Sequence, residues 1–254
     1  MNEGLLARIE DAGLNASAPP QQRWLDGWLV RYSPGKAKRA RCINAVASGV
    51  RPLDDKLAEC AALYREAGLP MFVRVTPFTQ PAGLDGSLAQ RGWCSVDDTR
   101  VMVLDRIDAM VEGAVPDGVE ALGVGAADYA RAVGSLRGSP SAQIDAQAQR
   151  VALSPVPYRG VLWRRDGEVL ACGQFAREGD LVGLYDVVTA PAARGQGLAA
   201  ALCAHLLARA RADGARVAYL QVDAANSAAR ALYRRLGFAD TYRYHYRCEE
   251  AGAN

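Results

Sequence analysis

Lysine is scarce in this chain. Of thirty basic residues among 254, only Lys36, Lys38 and Lys56 are lysines, and the remainder are arginines. Together with heavy alanine use, this looks like genomic base bias rather than a polybasic surface. The formal net charge of +2 leaves no footprint for nucleic acid or an anionic membrane. Histidine is scarcer still, with His205 and His245 alone, so a zinc site has little to be built from and no metal is expected. The six cysteines (Cys42, Cys60, Cys94, Cys172, Cys203, Cys248) form no C-x-x-C pair and read as reduced, small hydrophobes. No apolar run reaches bilayer length, and Met1-Asn2-Glu3-Gly4 opens no basic or apolar leader. These absences lead to the expectation of a cytoplasmic protein without nucleic-acid or membrane partners. Formation of a homodimer stays open.

What is present is ordinary globular material, half hydrophobic and 23% charged, long enough for one large domain or two small ones. The first half reads as a helix from Glu3 to Ala12 ending near Gly13, a strand from Trp24 to Ser33 and a basic strand from Lys36 to Val46. Helical spacing follows at Leu53, Leu57, Cys60, Ala61 and Tyr64, then a strand over 71–76, a helix over 84–90 and a strand over 99–104. The basic cluster Lys36, Lys38, Arg39, Arg41 reads either as a solvated strand edge or as an anion site. Asp105 to Gly118 is expected to be a linker. Beyond it come two helices, over 129–136 and 141–153, that would suit a lid or substrate wall. A hairpin follows at Asp166-Gly167.

The richest stretch runs from Leu184 to Ala199. Apolar and β-branched residues up to Thr189 form a strand, which Pro191 breaks because it has no amide to donate to a ladder. Gly195 and Gly197 then open a long alanine- and leucine-rich helix. Strand, glycine loop and helix start together present free amides and a positive helix end to a phosphate. A Rossmann fingerprint would need G-x-G-x-x-G between parallel strands, and a Walker loop would need Gly-Lys-Ser/Thr; neither is present.

Two motifs in order, Arg194-Gly195-Gln196-Gly197-Leu198-Ala199 and Asn226-Ser227-Ala228-Ala229-Arg230-Ala231-Leu232-Tyr233 followed by Leu236-Gly237-Phe238, resemble the GNAT superfamily of acetyl-CoA-dependent N-acetyltransferases. The resemblance covers about Val119 to Arg247. It implies acetyl-CoA as co-substrate and transfer of its acetyl group to a primary amine of a small molecule, amino acid or peptide by direct attack. It also implies that the backbone of Val187, Val188 and Thr189 pairs with the pantetheine arm, and that residues Arg194 to Ala199 hold the pyrophosphate. Asn226 contacts the cofactor or caps its helix, and Tyr233 returns a proton to the departing thiolate. One departure concerns the base. The position where many relatives carry a glutamate is Gln221, and a glutamine cannot take a proton. Gly183 and Tyr185, at another base position, also lack a carboxylate. Asp186 is the nearest candidate on the opening strand, either as base or substrate anchor, or as the partner of an arginine.

Aligning Gly92-Trp93 on Gly237-Phe238 places the same succession of elements in the first half, with Pro81 and Leu88 in the positions of Asn226 and Tyr233. The chain therefore resembles tandem-GNAT proteins. The expected fold class is α/β, two GNAT-like units each with a mixed, mostly antiparallel sheet flanked by helices. The expected division is a degenerate unit over 1–110 and a catalytic unit over 116–254. Two other readings stand beside catalysis with acetyl-CoA: a non-catalytic CoA-binding module, and an acyltransferase using another acyl-CoA.

Overall fold

The computed structural model describes residues 2–107 and 113–249, so the middle of the expected linker lies outside the described residues. Helix α1 (Glu3–Ala16) is followed by the strands β1 (Gln22–Leu25), β2 (Trp28–Arg31) and β3 (Ile43–Ala45). Then come α2 (Leu53–Glu66), β4 (Val73–Val75), α3 (Leu84–Gln90) and β5 (Cys94–Leu104). The second half runs β6 (Glu120–Val124), α4 (Ala126–Arg137), α5 (Ser141–Ala152), β7 (Tyr158–Arg165), β8 (Glu168–Glu178) and β9 (Leu181–Thr189). It closes with α6 (Leu198–Ala212), β10 (Val217–Asp223), α7 (Ser227–Arg235) and β11 (Ala239–Cys248). The order β-β-β-α-β-α-β thus occurs twice, from β1 to β5 and from β7 to β11.

Two compact units result, and they do not coincide with the ranges 1–110 and 116–254. One contains Met1–Ala16, Val101–Val222 and Asn226–Thr241; the other contains Ser17–Arg100, Asp223–Ala225 and Tyr242–Asn254. In the first unit the strand order is β5-β10-β9-β8-β7-β6, and in the second it is β1-β2-β3-β4-β11. Each series of elements therefore has its closing strand beside the other series' fourth strand. Pairing is mostly antiparallel, with β9–β10 in one unit and β3–β4 in the other running parallel. Each unit's strands pair in a mixed arrangement flanked by helices, as the resemblance implies.

The first unit's core follows from periodicity. Leu198, Leu202, Cys203, Leu206 and Ala210 recur on one face of α6 and bury against Phe175, Val182, Leu184 and Leu220. Complete burial of each leucine stabilises the fold by about 1.5–3 kcal/mol. The second unit gathers Trp28, Ile43, Leu57, Tyr64, Leu88 and Trp93.

Three sequence expectations are corrected. Trp24 to Ser33 is not one strand but part of a hairpin, because Asp26 (φ +42°) and Gly27 (φ +82°) form the left-handed pair that a two-residue hairpin turn requires. The expected strand over Lys36 to Val46 is regular only at Ile43–Ala45, and Lys38–Ala40 is a 3-10 turn. Helix α1 runs through Gly13 to Ala16 instead of stopping there. All six cysteines are free thiols.

Candidate active site

The site of interest is built on β9. Its ladder with β8 pairs Cys172 with Val188 and Gln174 with Tyr185, so Asp186 and Val187 together oppose the single residue Gly173. This is a β-bulge, and Asp186 takes the left-handed conformation (φ +50°) that it demands. On the other side, β9 pairs in parallel with β10 only from Leu181–Val217 to Leu184–Leu220. Past that register the two strands part. Tyr185, Val188 and Thr189 keep their pairing to β8 while the edge toward β10 has no ladder among the described residues. Val187, Val188 and Thr189 lie on this open edge and are half-buried.

The glycine loop follows directly. Pro191–Ala193 forms a short 3-10 turn, Arg194 is extended, and Gly195 and Gly197 both adopt φ +77°. Gly197 is the N-cap of α6, and side chains added at either glycine would point into open space. That space is what a ligand's approach requires; the positive φ is what excludes most other residues. No amide from residue 195 to 199 has a hydrogen-bond acceptor among the described residues. The arrangement is a helix N-terminus with its orphan donors exposed. Arg194 makes no ion pair among the described residues, and the first turn of α6 carries no acidic residue.

Asn226 is the N-cap of α7, its Oδ1 accepting from the Ala229 amide at 3.1 Å. Its Nδ2 remains for a ligand. About two helical turns later, Tyr233 packs edge-on against Phe238, ring centroids 6.0 Å apart, and joins the margin of the α6 core. Its hydroxyl makes no hydrogen bond among the described residues. Burial holds the phenolic proton well above the usual tyrosine range, with a smaller contribution from Cys203. Such a group is protonated at neutral pH, the form a proton donor needs.

Asp186 is heavily engaged. Its Oδ1 accepts from Arg137 Nη1 at 2.8 Å, and its Oδ2 accepts from Gln147 Nε2 at 3.0 Å and Gln174 Nε2 at 2.9 Å. Its backbone carbonyl accepts from the Tyr129 hydroxyl at 2.8 Å. Burial depresses the Arg137 pKa, but the Asp186 carboxylate outweighs it and the net shift is upward. The arginine partner anticipated for Asp186 is thus Arg137. Gln221 lies beside α1: a Cβ on Gly13 would come within 3.0 Å of its Nε2. Tyr185 and Tyr219 share a buried hydroxyl contact of 2.9 Å on the same face.

The structure therefore gathers Val187, Val188 and Thr189 with the loop 194–199 along one strand-to-helix junction, and adds Asn226 and Tyr233 from α7 in the same unit. Sequence reading missed Tyr129, Arg137, Gln147 and Gln174, which hold the bulge. One signal was present: Gln174 is the single strongly polar residue in the otherwise small and apolar run 171–176.

Comparison with known proteins agrees with this geometry. Residues 131–238 match the acetyltransferase (GNAT) family. An N-acetyltransferase of Bacillus subtilis strain 168, YobR, is 27% identical over 247 residues, covering 89% of this chain and 91% of that protein. Among solved structures, a GCN5-related N-acetyltransferase from Kribbella flavida superposes with a TM-score of 0.67 at 22% identity, over 99% of this chain and 98% of its own. A tandem GNAT protein from the clavulanic acid biosynthesis pathway gives 0.63 at 17% identity, over 79% and 70%. At these identities the structural likeness is one of fold, and its mixed sheet with flanking helices is the fold described above. The family match lies over the glycine loop and α7, so residues 131–238 of this chain are similar to the acetyltransferase domain of the GNAT family.

Proposed function

We propose that this protein is an acetyl-CoA-dependent N-acetyltransferase acting on a primary amine of a small molecule, amino acid or peptide. The observation that carries the reading is the parting of β9 and β10 after Leu184 and Leu220, ahead of a loop whose amides lack acceptors among the described residues. An extended ligand arm needs such a strand edge, and a diphosphate needs such a helix start. The residues fit the group: Val187, Val188 and Thr189 would hold the pantetheine arm, Arg194 to Ala199 the pyrophosphate, and Asn226 a polar group of the arm. Bound there, acetyl-CoA supplies an activated acyl group for direct attack by a neutral amine.

The chain's own contributions follow from position. The bulge turns the amide at Val187 out of the ladder, where it can polarise an acyl carbonyl. Tyr233 holds the proton that a departing thiolate requires. Asp186, committed to three donors, keeps the bulge in place through Arg137, Gln147 and Gln174, so the amine loses its proton to water. The unit containing β1–β4 is proposed to be a GNAT-like unit without chemistry, since the buried Leu88 stands in the place of Tyr233.

The test is a panel of amine, amino-acid and peptide acceptors with acetyl-CoA, following free thiol. Turnover with at least one amine supports the reading. Tight acetyl-CoA binding without turnover across the panel would replace it with a non-catalytic CoA-binding module, a reading that the engaged Asp186 and the absent glutamate at Gln221 favour. Turnover restricted to a longer acyl-CoA would change the acyl group and leave the site.

A further inference from the structure

Helices α4 and α5 close over β7 and β8 to leave a cavity of about 260 Å³, walled by Tyr129, Val151, Pro157, Tyr158 and Gly160, with Gln174 also on its lining. None of the residues lining it carries a charged side chain. Gln174 is 1% exposed, and its orientation is dictated by chemistry: Asp186 Oδ2 can only accept, so the amide nitrogen must face it at 2.9 Å. The carboxamide oxygen then points away from the carboxylate, and it has no hydrogen-bond partner among the described residues. A buried carbonyl without a donor is costly and rare. Two residues of this lining, Tyr129 and Gln174, bond directly to the bulge residue, Tyr129 to its carbonyl and Gln174 to its carboxylate. The cavity is therefore one side chain away from the strand edge where acyl transfer is placed.

We propose that this cavity is the subsite for the acceptor's head group, and that Gln174 selects an uncharged group bearing an O–H or N–H donor. The proposal rests on reading the bulge as the site of acyl transfer. Size agrees with a compact ligand: a cavity of roughly 150 Å³ admits benzene, so this one takes a six-membered ring with one small polar substituent. Charge agrees too, since a cation or anion would lose its hydration without gaining an ionic partner.

The experiment titrates the full chain, without acetyl-CoA, with phenol, toluene, benzylammonium and benzoate, read by ligand-observed NMR. Phenol is expected to bind at least tenfold more tightly than toluene, and neither ion is expected to bind. Equal binding of phenol and toluene, or comparable binding of either ion, overturns the proposal. Gln174→Met should bring phenol and toluene within about threefold, by analogy with sites that reject ligands lacking the matching donor; a preference that persists in it overturns the assignment to Gln174. Val151→Trp, which puts a larger side chain on the α5 wall of the cavity, should abolish phenol binding, and retained binding overturns the location. The wild-type comparison needs no variant to fold. Because these readouts involve no turnover, failure of the subsite and failure of acetyl transfer are separate results.

Discussion

Two helix starts in this molecule occupy the same place in the same succession of elements, and they have opposite electrostatics. Before α6, Gly195 and Gly197 turn the backbone so that five successive amides lack an acceptor among the described residues, and no carboxylate stands in the first turn. Before α2, Gly49 also takes a positive φ (+71°), yet the amides that follow it are occupied. Val50 donates to both oxygens of Asp26 at 3.0 and 3.1 Å, and Arg51 donates to Oδ2 at 3.0 Å. Lys56, 2% exposed, closes the arrangement with its ammonium 3.2 Å from Asp26 Oδ2 and bonded to the carbonyls of Asp26 and Ser48. Asp54 and Asp55 add further negative charge to the first turn of α2. The chain has supplied its own anion where the other unit leaves room for a ligand's. A helix start thus becomes a binding site only when nothing local satisfies its amides.

The largest way to break this contrast is to fill the open cradle. Gly197→Val places a β-branched side chain at a positive φ in the space proposed for the diphosphate, and is expected to abolish acetyl-CoA binding in calorimetry. Next in size is Tyr233→Phe, expected to lower kcat by roughly a hundredfold while leaving acetyl-CoA affinity within about twofold; an unchanged rate of thiol release would remove the tyrosine from the chemistry.

Asp26→Asn probes the closed cradle. The amides of Val50 and Arg51, then Lys56, hold the Asp26 carboxyl below its ordinary 3.8. Its folded value therefore lies below the unfolded one, so its stabilising contribution is complete above that value and disappears as pH falls through the depressed one. Wild-type protein should lose melting temperature on acidification below about pH 4. The asparagine variant should melt lower at neutral pH and show a flatter acid limb, with acetyl-CoA affinity unaffected. The smallest effect belongs to Asn226→Ala, which removes the α7 cap and should cost roughly 1 kcal/mol, a fall of about 2–4 °C in Tm for a chain of this size. A larger loss of acetyl-CoA affinity than of stability would assign Asn226 to the ligand as well as to the helix.

Much of this was legible in order along the chain. The run from Thr189 through Pro191 to Leu198 declares a strand, a break and a helix start, and the spacing from Asn226 to Phe238 declares a capped helix with one inward face. These are local properties, set by φ restriction, capping and periodicity. The hairpin at Asp26-Gly27 was equally local, but the aromatic run on either side of it reads as a single strand. Harder to see was the bulge at Asp186, because it depends on β8 pairing with one residue fewer than β9 presents.

By itself the sequence determined most of the strands and helices, where the glycine loop lies, and which family motifs it carries. Tertiary structure alone decided three things. It placed β5 beside β10 and β11 beside β4, because strands with similar alternation are interchangeable until a neighbouring edge selects between them. It brought Asp26 to amides more than twenty residues away and so closed one cradle. And it set Arg137, Gln147 and Gln174 around Asp186, supplying the arginine partner that sequence reading had offered beside the roles of base and substrate anchor. Each is a contact between residues distant in the chain, and pairwise electrostatics and packing at that range are written into no local pattern.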